Sequence, residues 1–137
     1  MSAPESFELV IDWLGRPLVT NFANKIHWAP LGRIRTEWGD AAIQADRLVR
    51  MPNLDRAAFE FQAEYPNRRS LPDPDGIAPT AKGVIDGLVR AGFLPDDTGT
   101  HVASVTYLPP VVVAGKRPTL VVRITASPRV HGKGEGA

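Results

Sequence analysis

Residues 68–101, RRSLPDPDGIAPTAKGVIDGLVRAGFLPDDTGTH, hold five carboxylates, and all five are aspartate: Asp73, Asp75, Asp86, Asp96 and Asp97. Aspartate is short, so its charge stays close to the backbone that places it. Lys82 lies in the same stretch. Oxygen ligands grouped in this way suit a hard divalent cation, and they suit metal-assisted chemistry on a phosphate. Within Asp73-Pro74-Asp75, the residue before proline is pushed into an extended conformation, and Pro74 has a fixed φ. Side chains two apart along an extended segment point the same way. Asp73 and Asp75 are therefore expected to project to one side, where a cation between them relieves their repulsion. Asp-Pro-Asp-Gly is also the composition of a plain turn, and taken alone the four residues favour the turn.

A helix separates the two close Asp pairs. From Pro79 to Ala91, the apolar residues Ala81, Val84, Ile85, Leu88 and Val89 recur at helical spacing. Pro79 suits a first turn. Arg90 suits a last turn, Gly92 a cap, and Pro95 a stop. Asp96-Asp97 follows at once, so the two pairs meet only if the strands at either end of this helix are neighbours. Lys82 and Asp86 share a helix face, although a bare surface ion pair is worth little. Gly83 and Gly87 also share a face, each at a cost of about 1 kcal/mol. That predicts close approach there by a strand or a second subunit.

The remaining elements must position this stretch. Ser6 to Leu14 alternates as a half-buried strand, with Phe7, Leu9, Ile11 and Trp13 on one side. Ile34 to Arg50 reads as a helix, with Ile34, Trp38, Ala41, Ala42, Ala45, Leu48 and Val49 on one stripe. Its opposite face mixes signs and reads as solvated; Arg33 and Arg35 on it are the better phosphate contacts. Ala57 to Tyr65 alternates cleanly and would deliver Asp73 and Asp75 near its C-terminal end. Arg68-Arg69 suits clamping of phosphate oxygens, and reads equally well as an exposed basic turn. His101 to Leu108 and Thr119 to Ala126 are expected to form an antiparallel pair, with an irregular arm at Pro109-Pro110. The order is β-α-β-α-β-β. This predicts an α+β fold with a small mixed sheet packed against two main helices, residues 1–127 forming one domain and residues 128–137 a disordered tail.

Composition narrows the classes. The 137 residues are 43% apolar and 23% charged, ordinary for a single globular domain. No apolar run is long enough to span a bilayer, and the N-terminus lacks the basic region of a secretory signal. No cysteine is present, which removes disulfides and thiolate metal sites and fits a reducing cytoplasm. There is no P-loop, dinucleotide fingerprint or zinc motif, so no organic cofactor is expected. Sixteen Lys and Arg face fifteen Asp and Glu, a net charge of +1, which permits a locally basic face without diagnosing one.

The run DPDGIAPTAKGVIDGLVRAGFLPDD resembles the signature of RusA-type Holliday junction resolvases, small homodimeric endodeoxyribonucleases frequent in phages and prophages. Their pattern is basic residues, Asp-x-Asp, a lysine early in a helix that ends Asp-x-Leu, then Ala-Gly and Asp-Asp. Here that is Arg68-Arg69, Asp73 and Asp75, Lys82, Asp86-Gly87-Leu88, Ala91-Gly92 and Asp96-Asp97. Gly76 stands where the family often has Asn, Ser70-Leu71-Pro72 separates the basic pair from the first Asp, and the segment before Lys82 is longer than in compact members. The resemblance implies that Asp73, Asp75 and Asp97 bind catalytic Mg2+, that Lys82 is the catalytic lysine, and that Asp96 orients a ligand or a metal-bound water. Asn21 to Trp28 has no clear period and reads on its own as a loop whose Trp28 packs on the core and whose His27 is a hydrogen-bonded polar residue; family members often carry a similar Asn-x-x-His-Trp segment, which implies substrate contact by Asn24, Lys25 and His27. The function implied is a cytoplasmic, homodimeric, Mg2+-dependent endonuclease that resolves four-way DNA junctions by paired nicks. The alternatives are a non-catalytic DNA-binding protein of this fold and a cation-stabilised interaction domain.

Overall fold

Alternation in two segments sets the sheet. In β1 (Ser6–Asp12), Leu9 and Ile11 are buried while Glu8, Val10 and Asp12 are exposed. In β2 (Ala57–Tyr65), Ala57, Phe59, Phe61, Ala63 and Tyr65 are buried and alternate with half-buried neighbours. Each strand thus has one face that must be covered. The structure is a computed structural model that describes residues 5–12, 28–66, 77–115 and 117–127, apart from the side chains of residues 28–31 and 34. It is an α+β fold, a five-stranded mixed sheet with two helices. The expected strand end at Trp13–Leu14 and the predicted tail lie outside the described residues.

The strand order is β1-β5-β2-β3, with β4 (Val111–Val112) also pairing β2. β5 (Thr119–Ala126) runs antiparallel to both β1 and β2, whereas β3 (Val102–Tyr107) and β4 run parallel to β2. The expected antiparallel pair of residues 101–108 and 119–126 does not form, because β2 stands between them. The physical reason is the crossover: a helix between two strands returns the chain so that they lie parallel. β3 therefore takes one edge of β2, and β5 takes the other. Flanked on both sides, β5 buries Thr119 and Val121 as well as Leu120, Val122 and Ile124. β3 and β4 form one edge strand interrupted at Leu108-Pro109-Pro110, as prolines without donors require. Across that gap the Gln62 amide donates to the Pro109 carbonyl at 3.0 Å.

α1 (Trp28–Val49) begins six residues before the expected Ile34. Pro30 falls in the first turn, where its missing N–H breaks no hydrogen bond. Trp38 and Ala42 are buried, but Leu48 is 93% exposed, which corrects its place on the inward stripe. Leu48 is one position off the line through Trp38, Ala42, Ala45 and Val49; Asp46 is buried instead. The helix ends with Arg50 in the left-handed region at φ 57°. There the Asp46 carboxylate accepts the Met51 N–H at 2.7 Å.

α2 (Ala78–Arg90) follows the periodicity, burying Ala81, Val84, Ile85 and Leu88. Both helices pack on the face of the sheet that carries Leu9, Phe59, Phe61, Leu120 and Ile124. The close approach predicted at Gly83 and Gly87 is made by α1, not by a strand or a second subunit. A Cβ on Gly83 would come within 2.8 Å of the Arg35 carbonyl oxygen, and one on Gly39 within 2.8 Å of the Gly87 Cα. Backbones this close leave no room for a methyl group, so the glycine face is used up within the monomer. No described helix is long and apolar enough to cross a membrane.

Candidate functional site

α2 stops in a way that turns the chain back along it. Ala91 caps the helix, and Gly92 takes a positive φ of 88°. The Phe93 N–H then bonds the Leu88 carbonyl at 2.9 Å, and the Gly92 N–H the Val89 carbonyl at 3.0 Å. This pattern satisfies the last carbonyls and reverses the chain. Leu94 is buried, and the Phe93 carbonyl accepts the Leu54 N–H at 2.8 Å, so the returning segment is anchored to the residues before β2. At its far end the His101 carbonyl accepts the Ala57 N–H at 2.9 Å, and His101 Nδ1 lies 2.8 Å from the Asp55 carbonyl oxygen. Asp96 and Asp97 lie on the stretch between these two anchors.

The result brings together residues that the helix had separated. The Lys82 ammonium lies 3.4 Å from Asp97 Oδ2 and 3.6 Å from Asp86 Oδ1. The Asp96 carboxylate accepts the Asp97 backbone N–H at 2.8 Å, which fixes the local turn. A hydrogen bond with the Asp96 side chain, and then the Lys82 ammonium, hold the Asp97 carboxyl below its ordinary pKa of 3.8. Asp97 therefore stays ionised at neutral pH. Beside the three charged groups opens a groove of about 290 Å³ between α2 and the edge strand, floored by Ile85, Val102, Val105 and Tyr107. α2 is held on α1 by the Arg90–Asp40 ion pair at 2.6 Å as well as by the glycine contact.

Of the residues singled out by sequence, Lys82 meets Asp97 and Asp86, whereas Asp96 touches its chain neighbour Asp97 and does not line the groove. The strands on either side of α2 are neighbours, which is the condition for the two Asp pairs to meet. Asp73, Asp75, Arg68, Arg69, Asn24, Lys25 and His27 lie outside the described residues. Arg33 is exposed on α1 and open to a ligand. Arg35 is half-buried; its backbone packs on Gly83 and its enclosed Nε has no hydrogen-bond partner among the described residues. Sequence reasoning missed the groove floor. The alternation of Val105 and Tyr107 was visible, but nothing in it told that this strand lies at an edge beside α2.

A hard cation fits the donors in kind, since those that converge are carboxylate oxygens and Asp97 is ionised. Among the described residues no three potential ligands come together, so a full ligand set needs Asp73 and Asp75 as well. The chain matches no protein-family model, and no curated protein matches it either.

Proposed function

We propose that this protein is a Mg2+-dependent endonuclease acting on four-way DNA junctions, in the manner of the RusA-type resolvases its sequence resembles. The observation that carries the reading is the convergence of Lys82 and Asp97, fifteen residues apart, at the mouth of one groove. Asp73, Asp75 and Asp97 hold the metal in this reading, and Asp96 positions Asp97 through its backbone N–H. When bound, Mg2+ lowers the pKa of a water and stabilises the charge of the attacked phosphate. Lys82 neutralises charge developing on the scissile phosphate. Arg33, Arg68, Arg69, Asn24, Lys25 and His27 contact the DNA backbone.

Charge on the sheet supports approach from the helical side. Among the described residues, the face of the sheet away from the helices carries Glu8, Asp12, Glu60 and Glu64 against Arg123 alone. Such a face repels phosphate. Resolution needs paired nicks in symmetric strands, so the reading includes a two-fold dimer. Its interface does not use the Gly83/Gly87 face. The test is incubation of a labelled junction, with a linear duplex of equal length, in Mg2+ and in EDTA. Symmetric nicks confined to the junction and lost in EDTA are expected. Tight junction binding without nicks would instead identify a non-catalytic binder, and neither binding nor cutting would leave the cation-stabilised interaction domain.

A further inference from the structure

The groove beside Lys82 has an apolar floor for which the phosphate chemistry above has no use. Ile85, Val102, Val105 and Tyr107 form it, and Val105 is 36% exposed at the edge of the sheet. The Tyr107 ring lies against Phe61, centroids 6.2 Å apart and planes tilted by 31°, which steadies it as a platform. Ligand pockets run from about 300 to 1,000 Å³. At about 290 Å³ this groove suits one flat ring system rather than a helix or a duplex. The rim narrows the choice further. The Lys82 ammonium faces Asp97 and Asp86 at 3.4 and 3.6 Å, so a second cation, a guanidinium included, would be repelled there. A neutral amino group meets no such repulsion. Among the described residues Asp86 engages Lys82 alone, through Oδ1, and its side chain is 42% exposed, which leaves lone pairs for a further donor. A flat ring that carries an amino group and is joined to an anion satisfies floor, acid and ammonium together. We infer that the groove receives one unstacked nucleobase beside the scissile phosphate, stacked on Tyr107, and that Asp86 selects bases with an exocyclic amino group. The inference rests on the nuclease reading above and gives that site a substrate selectivity. Adenine, cytosine and guanine each present such a donor to a carboxylate. Thymine flanks its single ring N–H with two carbonyl oxygens, which the carboxylate repels. Lifting a base from its stack is least costly where the duplex is already interrupted, so a base site of this kind also favours branched over linear DNA.

The test reads binding apart from cutting. Protein with 13C-labelled isoleucine and valine methyl groups is titrated, without metal, with dAMP, dCMP, dGMP and dTMP. The Ile85, Val102 and Val105 methyl signals are expected to move saturably in the millimolar range. dTMP should bind about tenfold more weakly than the other three, the size of one hydrogen bond to a charged group. Asp86→Asn should bring dTMP to within about twofold of the rest, since an amide both donates and accepts. Val105→Trp, at an exposed position, fills the groove and should leave the Ile85 and Val102 signals still with every nucleotide. On labelled junctions in Mg2+, wild-type nicks should fall beside amino-bearing bases, and Asp86→Asn should spread them to thymine. Equal affinity of wild type for dTMP overturns the selection by Asp86. No movement with any nucleotide overturns the base site, and junction cutting then judges the nuclease reading alone. Base-selective movement in a protein that cuts no junction would uphold the groove as a nucleotide site and sink the nuclease.

Discussion

Asp97 is the residue on which the proposed chemistry depends, and its position comes from a chain reversal rather than from its own neighbours in sequence. The Gly92 cap and the buried Leu94 return Asp97 to the level of Lys82. Hydrogen bonding with Asp96 and the Lys82 charge then depress its pKa below 3.8. The sign of the pH effect follows. A carboxyl with a lowered folded pKa contributes stability that is present above its unfolded value and lost as pH falls through the folded one. The stability difference between wild type and Asp97→Asn, from urea titrations, should be flat from pH 8 to about 4 and disappear below that. A difference that grew on acidification would reverse the assignment. At this scale the residue types were legible and their meeting was not. Gly92 and Pro95 said that the helix stops, but no local signal said which way the chain leaves it.

The helix crossing is the element on which the groove stands. Gly39, Gly83 and Gly87 let two backbones touch, and a Cβ on Gly39 would lie 2.9 Å from the Gly83 carbonyl oxygen. Gly39→Ala is expected to lower stability by roughly 2–3 kcal/mol, the overpacking cost exceeding the gain in helix propensity of about 1 kcal/mol. Gly32→Ala, with nothing within 4 Å of the added methyl, should be neutral or stabilising by up to about 1 kcal/mol. Urea denaturation of the two variants separates packing from propensity, and equal effects would contradict the crossing. Arg50 sits at φ 57°, a conformation that glycine adopts freely. Arg50→Gly should therefore raise stability by about 1 kcal/mol, read as a higher Tm in a thermal melt. β2 and α2 were legible almost to the residue, because strict alternation and a clean 3.6 period are the strongest local signals. The start of α1 was not, because Pro30 and Gly32 look like a break when they fall in a first turn and the turn that follows it. Leu48 was misplaced because it is apolar but lies one position off the line through Trp38, Ala42, Ala45 and Val49.

At the scale of the molecule, the order β1-β5-β2-β3 decides what each surface can do. It was not legible, since consecutive strands suggest a hairpin and the choice between neighbours is made by which edge the crossover leaves free. That order collects Glu8, Asp12, Glu60 and Glu64 on the face away from the helices, and places the Lys82–Asp97 groove beside the edge strand. The most direct measurement is the single-turnover rate of cutting a labelled four-way junction in Mg2+, for wild type and Asp97→Asn, with junction binding measured in parallel. The account predicts symmetric nicks by wild type, a loss of at least about 100-fold in Asp97→Asn, and binding retained by both. Cutting by Asp97→Asn at the wild-type rate would contradict the assignment of the site, and no cutting by wild type in Mg2+ would contradict the nuclease itself.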